Sequence, residues 1–570
     1  MKLTISKSKN AASLYVTKST YINGKHSSKI VEKLGTYAEL QEKLGGEDPI
    51  VWAKAYIEEL TKKEKEENQE VLVKYSPTTT IVKDEQRSFN GGYLFLQKIY
   101  HELGLPQICK EIEAKYKFTF SLDAILSRLL YGRIIFPGSK LATHQLSSRF
   151  IEPPQFELQH IYRALEVLSK ESDVLQANLY KNSLNVTKRK TDVLYYDCTN
   201  FFFEIEQEDG LKQYGQSKQH QPSPIVQMGL FMDADGIPLA FNINKGNTNE
   251  QITLQPLEKK ILTDFPLSKF VVCTDAGLAS TNNRKFNDKG GRSFITTQSV
   301  KKLKAFLKEW ALETTGWKIA GDKKIYDISK LDEEKHEKSI FYKERWINED
   351  DLEQRLIVTY SLKYRNYHRQ IRQGQIERAQ KLMDTKPAKL KKAHPNDYKR
   401  FIKAGTCTQD GEIAQKEFYL LDEELIANEA MFDGFYAVCT NLEDDVSAII
   451  RVNRKRWEIE ECFRMMKSEF KARPVYLSRD DRIKAHFMTC FMALILFRLL
   501  EKKLNNRFTC SEIVQGLRDM NFLQIKGEGY VPTYTRTDFT DALHKGFAFR
   551  TDTQIVNLAQ MKKIFKLTKK

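Results

Sequence analysis

Val193-Leu194-Tyr195-Tyr196-Asp197 is an apolar run that ends on a carboxylate. Branched and aromatic residues suit the pleated, half-buried surface of a strand. The run therefore predicts a strand that starts at Val193, carries Asp197 and continues through Phe201-Phe202-Phe203. A second run of the same kind, Phe270-Val271-Val272-Cys273-Thr274, ends on Asp275. Between them, Ile225 to Met232 predicts another strand, followed by the turn Asp233-Ala234-Asp235-Gly236. Ile237 to Ile243 predicts a third, with Pro238 near its start, where a missing N–H is tolerated. Thr248 and Gln251 have capping-box spacing and predict a helix through Ile261. Ser293 to Thr297 reads as a fifth strand.

Strands before a helix, then a strand ending on a second acid, is the order of an α/β core of ribonuclease-H-like type, a mixed five-stranded sheet with helices. The expected organisation is an N-terminal β-hairpin plus charged helix over 1–85 and a helical domain over 86–189. The first part of the core follows over 190–299, an inserted α+β domain over 300–432, the second part of the core over 433–505, and a helical tail over 506–570. The hairpin rests on Leu14-Tyr15-Val16 and Ile30-Val31 flanking an Asn23-Gly24 turn. The insertion contains a basic helix from Arg365 to Met383 and a basic stretch from Lys386 to Arg400.

At 570 residues the chain is too long for one ordinary domain. A net charge of +16 suits a polyanionic partner and is also compatible with plain solubility. The eight cysteines form no C-x-x-C pair, which argues against a structural zinc site and fits a reduced, cytoplasmic protein. The start lacks an apolar leader, and the run Phe487 to Phe497 is short of a membrane span, so no membrane partner is expected.

Asp197 and Asp275 each have a bland reading as solvated strand-end residues, but both follow apolar runs directly, and sites form at strand ends in open α/β sheets. Glu460 lies in a helical stretch. On a helical wheel, Ile459, Phe463, Met466 and Phe470 form the apolar face, with Asn453, Arg456, Glu460, Arg464 and Lys467 beside it. This arc reads equally as i,i+4 pairing of Arg456 with Glu460 and as a charged site on the shoulder of a buried face. The helical region 88–182 reads as a DNA grip or as a packing module. Trp457 reads as a buried side chain or as a base-stacking platform.

Arg456-x3-Glu460-x6-Lys467 resembles the Tyr-x2-Arg-x3-Glu-x6-Lys signature of DDE transposases from bacterial insertion sequences, with Asn453 at the position the family gives to Tyr. Tyr196-Asp197-x-Thr199, Gly215-x-Ser217-Lys218, Asp235-Gly236-Ile237-Pro238-Leu239, Gly246-Asn247-Thr248-x-Glu250 and Thr274-Asp275-Ala276-Gly277 resemble the family too. The resemblance implies a transposase that cleaves DNA and transfers strands in cut-and-paste transposition. Asp197, Asp275 and Glu460 would be catalytic and would hold two Mg²⁺ ions, with Mn²⁺ able to substitute. Arg456, Lys467, Lys218 and Ser217 would contact DNA. The implied partners are element ends and target DNA, bound by a homodimer. Two other classes stay open: an inactive sequence-specific DNA-binding protein, and a hydrolase of the same fold that does not join strands.

Overall fold

The computed structural model describes residues 1–8, 11–22, 25–67, 71–73, 75–385, 397–407 and 413–570. The Asn23-Gly24 turn and the basic residues Lys386, Lys389, Lys391 and Lys392 lie outside them. The chain forms two compact units, Met1–Glu85 and Gln86–Lys570.

In the first unit the expected hairpin strands, Ala12–Ile22 and Lys25–Thr36, are joined by a third, Lys2–Lys7, in one antiparallel sheet. Helices Tyr37–Lys43 and Pro49–Glu67 follow, and Leu14, Leu40 and Ala53 form the buried centre.

In the second unit, β1 (Val193–Phe202), β2 (Ile225–Asp233), β3 (Pro238–Lys245), β4 (Val271–Thr274) and β5 (Ser293–Gln298) lie in the order β3-β2-β1-β4-β5. The β1–β2 and β2–β3 pairings are antiparallel, and β1–β4 and β4–β5 are parallel. This mixed sheet fits the ribonuclease-H-like fold. All nine residues of β2 are buried, as expected of a central strand covered on both faces.

The sheet does not stop at five strands. β6 (Lys318–Ile319), β7 (Phe341–Glu349), β8 (Leu352–Tyr360) and β9 (Phe435–Thr440) extend it to nine, in the order β9-β8-β7-β6 outward from β5. The strands of segment 300–432 thus continue the core sheet, because the free edge of β9 offers unpaired backbone groups that β8 satisfies. Phe294 and Cys439 of the core strands also share one apolar cluster with Leu307, Trp317 and Leu356.

Of the six helices between Tyr93 and Val186, Tyr93–Glu102, α1 (Leu122–Ile135) and α2 (Leu158–Lys170) pack against a later helix and share its core rather than forming a separate one. The helix after β3 begins later than its spacing predicts, as α3 (Leu254–Asp264). Asn249, not Thr248, caps a preceding 3₁₀ turn by accepting from the Gln251 amide at 3.0 Å. Pro256 explains the shift: it has no N–H to donate and is tolerated only in a first turn.

After β9 come α4 (Val446–Arg454), α5 (Trp457–Ser468) and α6 (Asp480–Lys503). With 24 residues and apolar character, α6 is the one helix among the described residues long and apolar enough to cross a membrane, and most of it is buried inside this protein. It packs on α1, α2 and β3, with the Phe201–Phe487 and Phe241–Phe491 rings 4.7 and 4.8 Å apart. The expected helical tail is instead mixed. Asn521–Ile525, Gly529–Pro532 and Val556–Asn557 form a sheet with Ser88–Asn90, which joins the two ends of this unit.

Candidate active site

Every residue of β1 is buried except Asp197 and Phe202, which are half-open. A carboxylate in such a strand is costly unless something compensates it. The parallel register pairs Val193 with Val271 and Tyr195 with Cys273. Asp275 follows directly after β4 ends at Thr274, near enough for its charge to act on Asp197. The Asp275 carboxylate accepts the amides of Gly277 at 2.9 Å and Leu278 at 3.1 Å, which fixes the turn leaving β4. Burial pushes the Asp197 carboxyl up to about 7; Lys218 pulls against this and the neighbouring Asp275 adds to it. A neighbouring like charge disfavours ionisation of a carboxyl.

Arg456 joins the aspartates to Glu460. Burial opposes its charge, but Tyr436, Asp275, Cys273 and Asp197 outweigh burial and hold the guanidinium above its ordinary value. It donates to the Thr297 hydroxyl at 2.7 Å and lies 3.7 Å from the Glu460 carboxylate. The helical stretch read as continuous breaks here, because α4 ends at Arg454 and α5 starts at Trp457. Glu460 therefore stands in the first turn of α5, where the helix dipole favours an anion, and its side chain is 62% exposed.

Two lysines flank the pair. Lys467 donates to the Thr199 hydroxyl at 2.5 Å and sits over the Phe201 ring. Burial, Arg473 and Lys218 push its ammonium down to about 8, while Asp197 pulls the other way. Lys218 donates to the Cys198 carbonyl and pairs with Glu250 at 3.1 Å. Its loop is anchored on Asn200, whose amide donates to the Gln216 carbonyl at 3.1 Å. Gly215 and Gly246 let the two loops touch, since a Cβ at Gly215 would lie 2.1 Å from the Gly246 carbonyl oxygen. The Ser217 hydroxyl is engaged within its loop, accepting the Gln219 and Gln221 amides at 3.3 and 3.2 Å.

Asn453 is buried and donates to the Tyr436 hydroxyl at 2.8 Å. That hydroxyl is 2.8 Å from Thr297 Oγ1, which receives Arg456. Tyr436 and Thr297 escape sequence reading because both look like ordinary strand formers. Of the two readings of Trp457, the buried one fails: the side chain is 59% exposed, since the helix break turns it outward at the start of α5.

Cys109, Cys198, Cys273, Cys439, Cys462, Cys490 and Cys510 are free and buried. Elsewhere, Asp541, His544 and Asp552 bring their ligand atoms within 4.8 Å of one another. Arg536 and Arg550 pair with both carboxylates of that trio and already balance its charge.

Residues 188–496 match the family described as "Transposase DDE domain". No curated protein sequence matches the chain. Among solved structures, the chain is similar to "Cryo-EM structure of piggyBac transposase synaptic complex with hairpin DNA (SNHP)". The identity is 8% and the TM-score 0.35, over 85% of this chain and 88% of that one.

Proposed function

This chain belongs to the transposase DDE domain family, and from that premise we propose that it cleaves DNA and transfers strands in the cut-and-paste movement of a bacterial insertion sequence. The observation that carries the reading is the charge cluster where parallel strands β1 and β4 end: Asp275 acts on Asp197, and Arg456 is in the field of both and beside Glu460.

The donor set suits divalent metal. Carboxylate oxygens are hard ligands of the kind Mg²⁺ and Mn²⁺ prefer, and a half-open acid that holds its proton to about 7 gains its charge partner when a cation arrives. Asp197, Asp275 and Glu460 are the residues that would hold two ions. When bound, such a pair activates the attacking oxygen and steadies the leaving one. Arg456 holds Glu460 and offers remaining N–H groups to a phosphate; its buried Nε has no partner among the described residues. Lys467 and Lys218 supply positive charge on the β1 side. The first nucleophile is water and the second the freed 3′-OH, so one site serves both steps. A homodimer on two element ends, acting in the cytoplasm, completes the reading.

The test is a strand-transfer assay with the full chain and a duplex carrying the DNA that flanks its gene, in Mg²⁺, Mn²⁺ or EDTA. Nicking, 3′-OH release and joining are expected with either metal. Undiminished cleavage by Asp197→Asn and Asp275→Asn would overturn the assignment.

A further inference from the structure

Where α1, the segment after α5 and α6 meet, a pocket of about 170 Å³ opens, well beyond the ~10–15 Å³ that admits one water. Arg133, Lys140, Lys471, Arg473, Tyr476 and His486 are among its lining residues, and no carboxylate is. None of the four Lys and Arg side chains has an ion-pair partner among the described residues. Arg133 donates to the carbonyls of Phe470 at 3.0 Å, Lys471 at 3.2 Å and Gly138 at 3.2 Å, which neutralises nothing. His486 is spent on the Ala472 carbonyl at 2.9 Å.

Lys140 is the anomaly. It is 5% exposed, and its Nζ has no hydrogen-bond partner. Arg133 Nε is likewise unmatched. A buried cation with no counter-charge destabilises a fold by kcal/mol amounts. Burial, with Arg133 beside it, pushes the Lys140 ammonium down to about 7. Tyr476 at the same pocket is 73% exposed, an aromatic face set beside basic groups, as in sites that follow a nucleic-acid strand.

We propose that this pocket binds one phosphate group, and that its occupant is a backbone phosphate of the DNA whose cleavage is proposed above. The inference rests on that reading for the source of the phosphate. Arg473 connects the pocket to the candidate active site: it lies over the Phe202 ring at the end of β1 and donates to the Gln219 side chain, next to Lys218. Phe202 is five residues along β1 from Asp197, about 17 Å at strand rise. A duplex lying at the carboxylates spans that distance in about five base-pair steps. The bound phosphate would anchor DNA on the helical side while the carboxylates act on another.

The experiment uses the full chain and two probes. Thermal unfolding is followed in inorganic phosphate against chloride at equal ionic strength. The wild-type midpoint should rise with phosphate. Lys140→Met should lose most of that rise while its midpoint in chloride is equal or higher. Arg473→Gln is the second variant, should Lys140→Met fold poorly. Duplex binding is then measured across salt in EDTA, where no strand is cut, so the result stands apart from the cleavage assay. The salt slope of either variant should be smaller by about one. An unchanged slope with the phosphate response lost would assign the pocket to free phosphate and overturn the DNA inference. An equal phosphate response in wild type and both variants would mean an adventitious ion only and overturn the pocket itself.

Discussion

Asp197→Asn separates the cost of the candidate site from its use. The Asp197 carboxyl is raised from its ordinary 3.8 to about 7, first by burial. At 1.36 kcal/mol per unit, a shift of this size is worth at most about 4 kcal/mol, and the half-open side chain and its screening reduce that to roughly 2. The sign follows from proton counting. Between about pH 4 and 7 the folded chain holds a proton that the unfolded chain has released, so stability falls as pH rises through that window and is level above it. Asparagine keeps the shape and never ionises. In EDTA at pH 8 the variant should be more stable by about 2 kcal/mol, and at pH 4 the two proteins should coincide. For a cooperative unit of roughly 500 residues, unfolding entropy is about 1 kcal/mol per degree, which makes the gap about 2 °C by scanning fluorimetry. Mg²⁺ should raise the wild-type midpoint and leave the variant's in place. Equal midpoints in EDTA at pH 8, or an equal Mg²⁺ response, would refute the reasoning.

Three further outcomes are expected. Ca²⁺ alone should support DNA binding without cleavage in a gel assay, because its longer bonds and variable ligand number misplace the reacting oxygens. Tyr436→Phe should leave buried Asn453 without its acceptor and cost about 1–3 kcal/mol in urea unfolding, with cleavage lowered through Thr297 and Arg456. Asp233→Ala strands Arg189, whose side chain is 1% exposed against Asp233, and should cost about 3–5 kcal/mol, seen as loss of soluble protein.

The strands that build the sheet centre were legible because their apolar runs are continuous and end abruptly on Asp197 and Asp275. The joining of β7 and β8 to the core was not, since which strand covers an edge is decided by pairing across many residues and leaves no local mark. The break between α4 and α5 was hidden for another reason. Arg456 keeps right-handed helical angles, φ −57° and ψ −22°, so the wheel runs smoothly through it. Within the candidate site, charged residues at strand ends draw attention, whereas the neutral relay of Asn453, Tyr436 and Thr297 is built from residues common in any strand or helix.

The placement of α6 also governs when the chain can fold. Helices between Tyr93 and Val186, α1 and α2 among them, bury their apolar sides against a segment that begins at Asp480. Roughly 300 residues separate them, and at about 5–20 residues per second the ribosome takes roughly 15–60 s to supply the partner. During that interval the nascent helices have only one another for cover, and chains that stop short of α6 leave an apolar surface that invites aggregation. Completion of the helical body is thus tied to synthesis of the chain through α6.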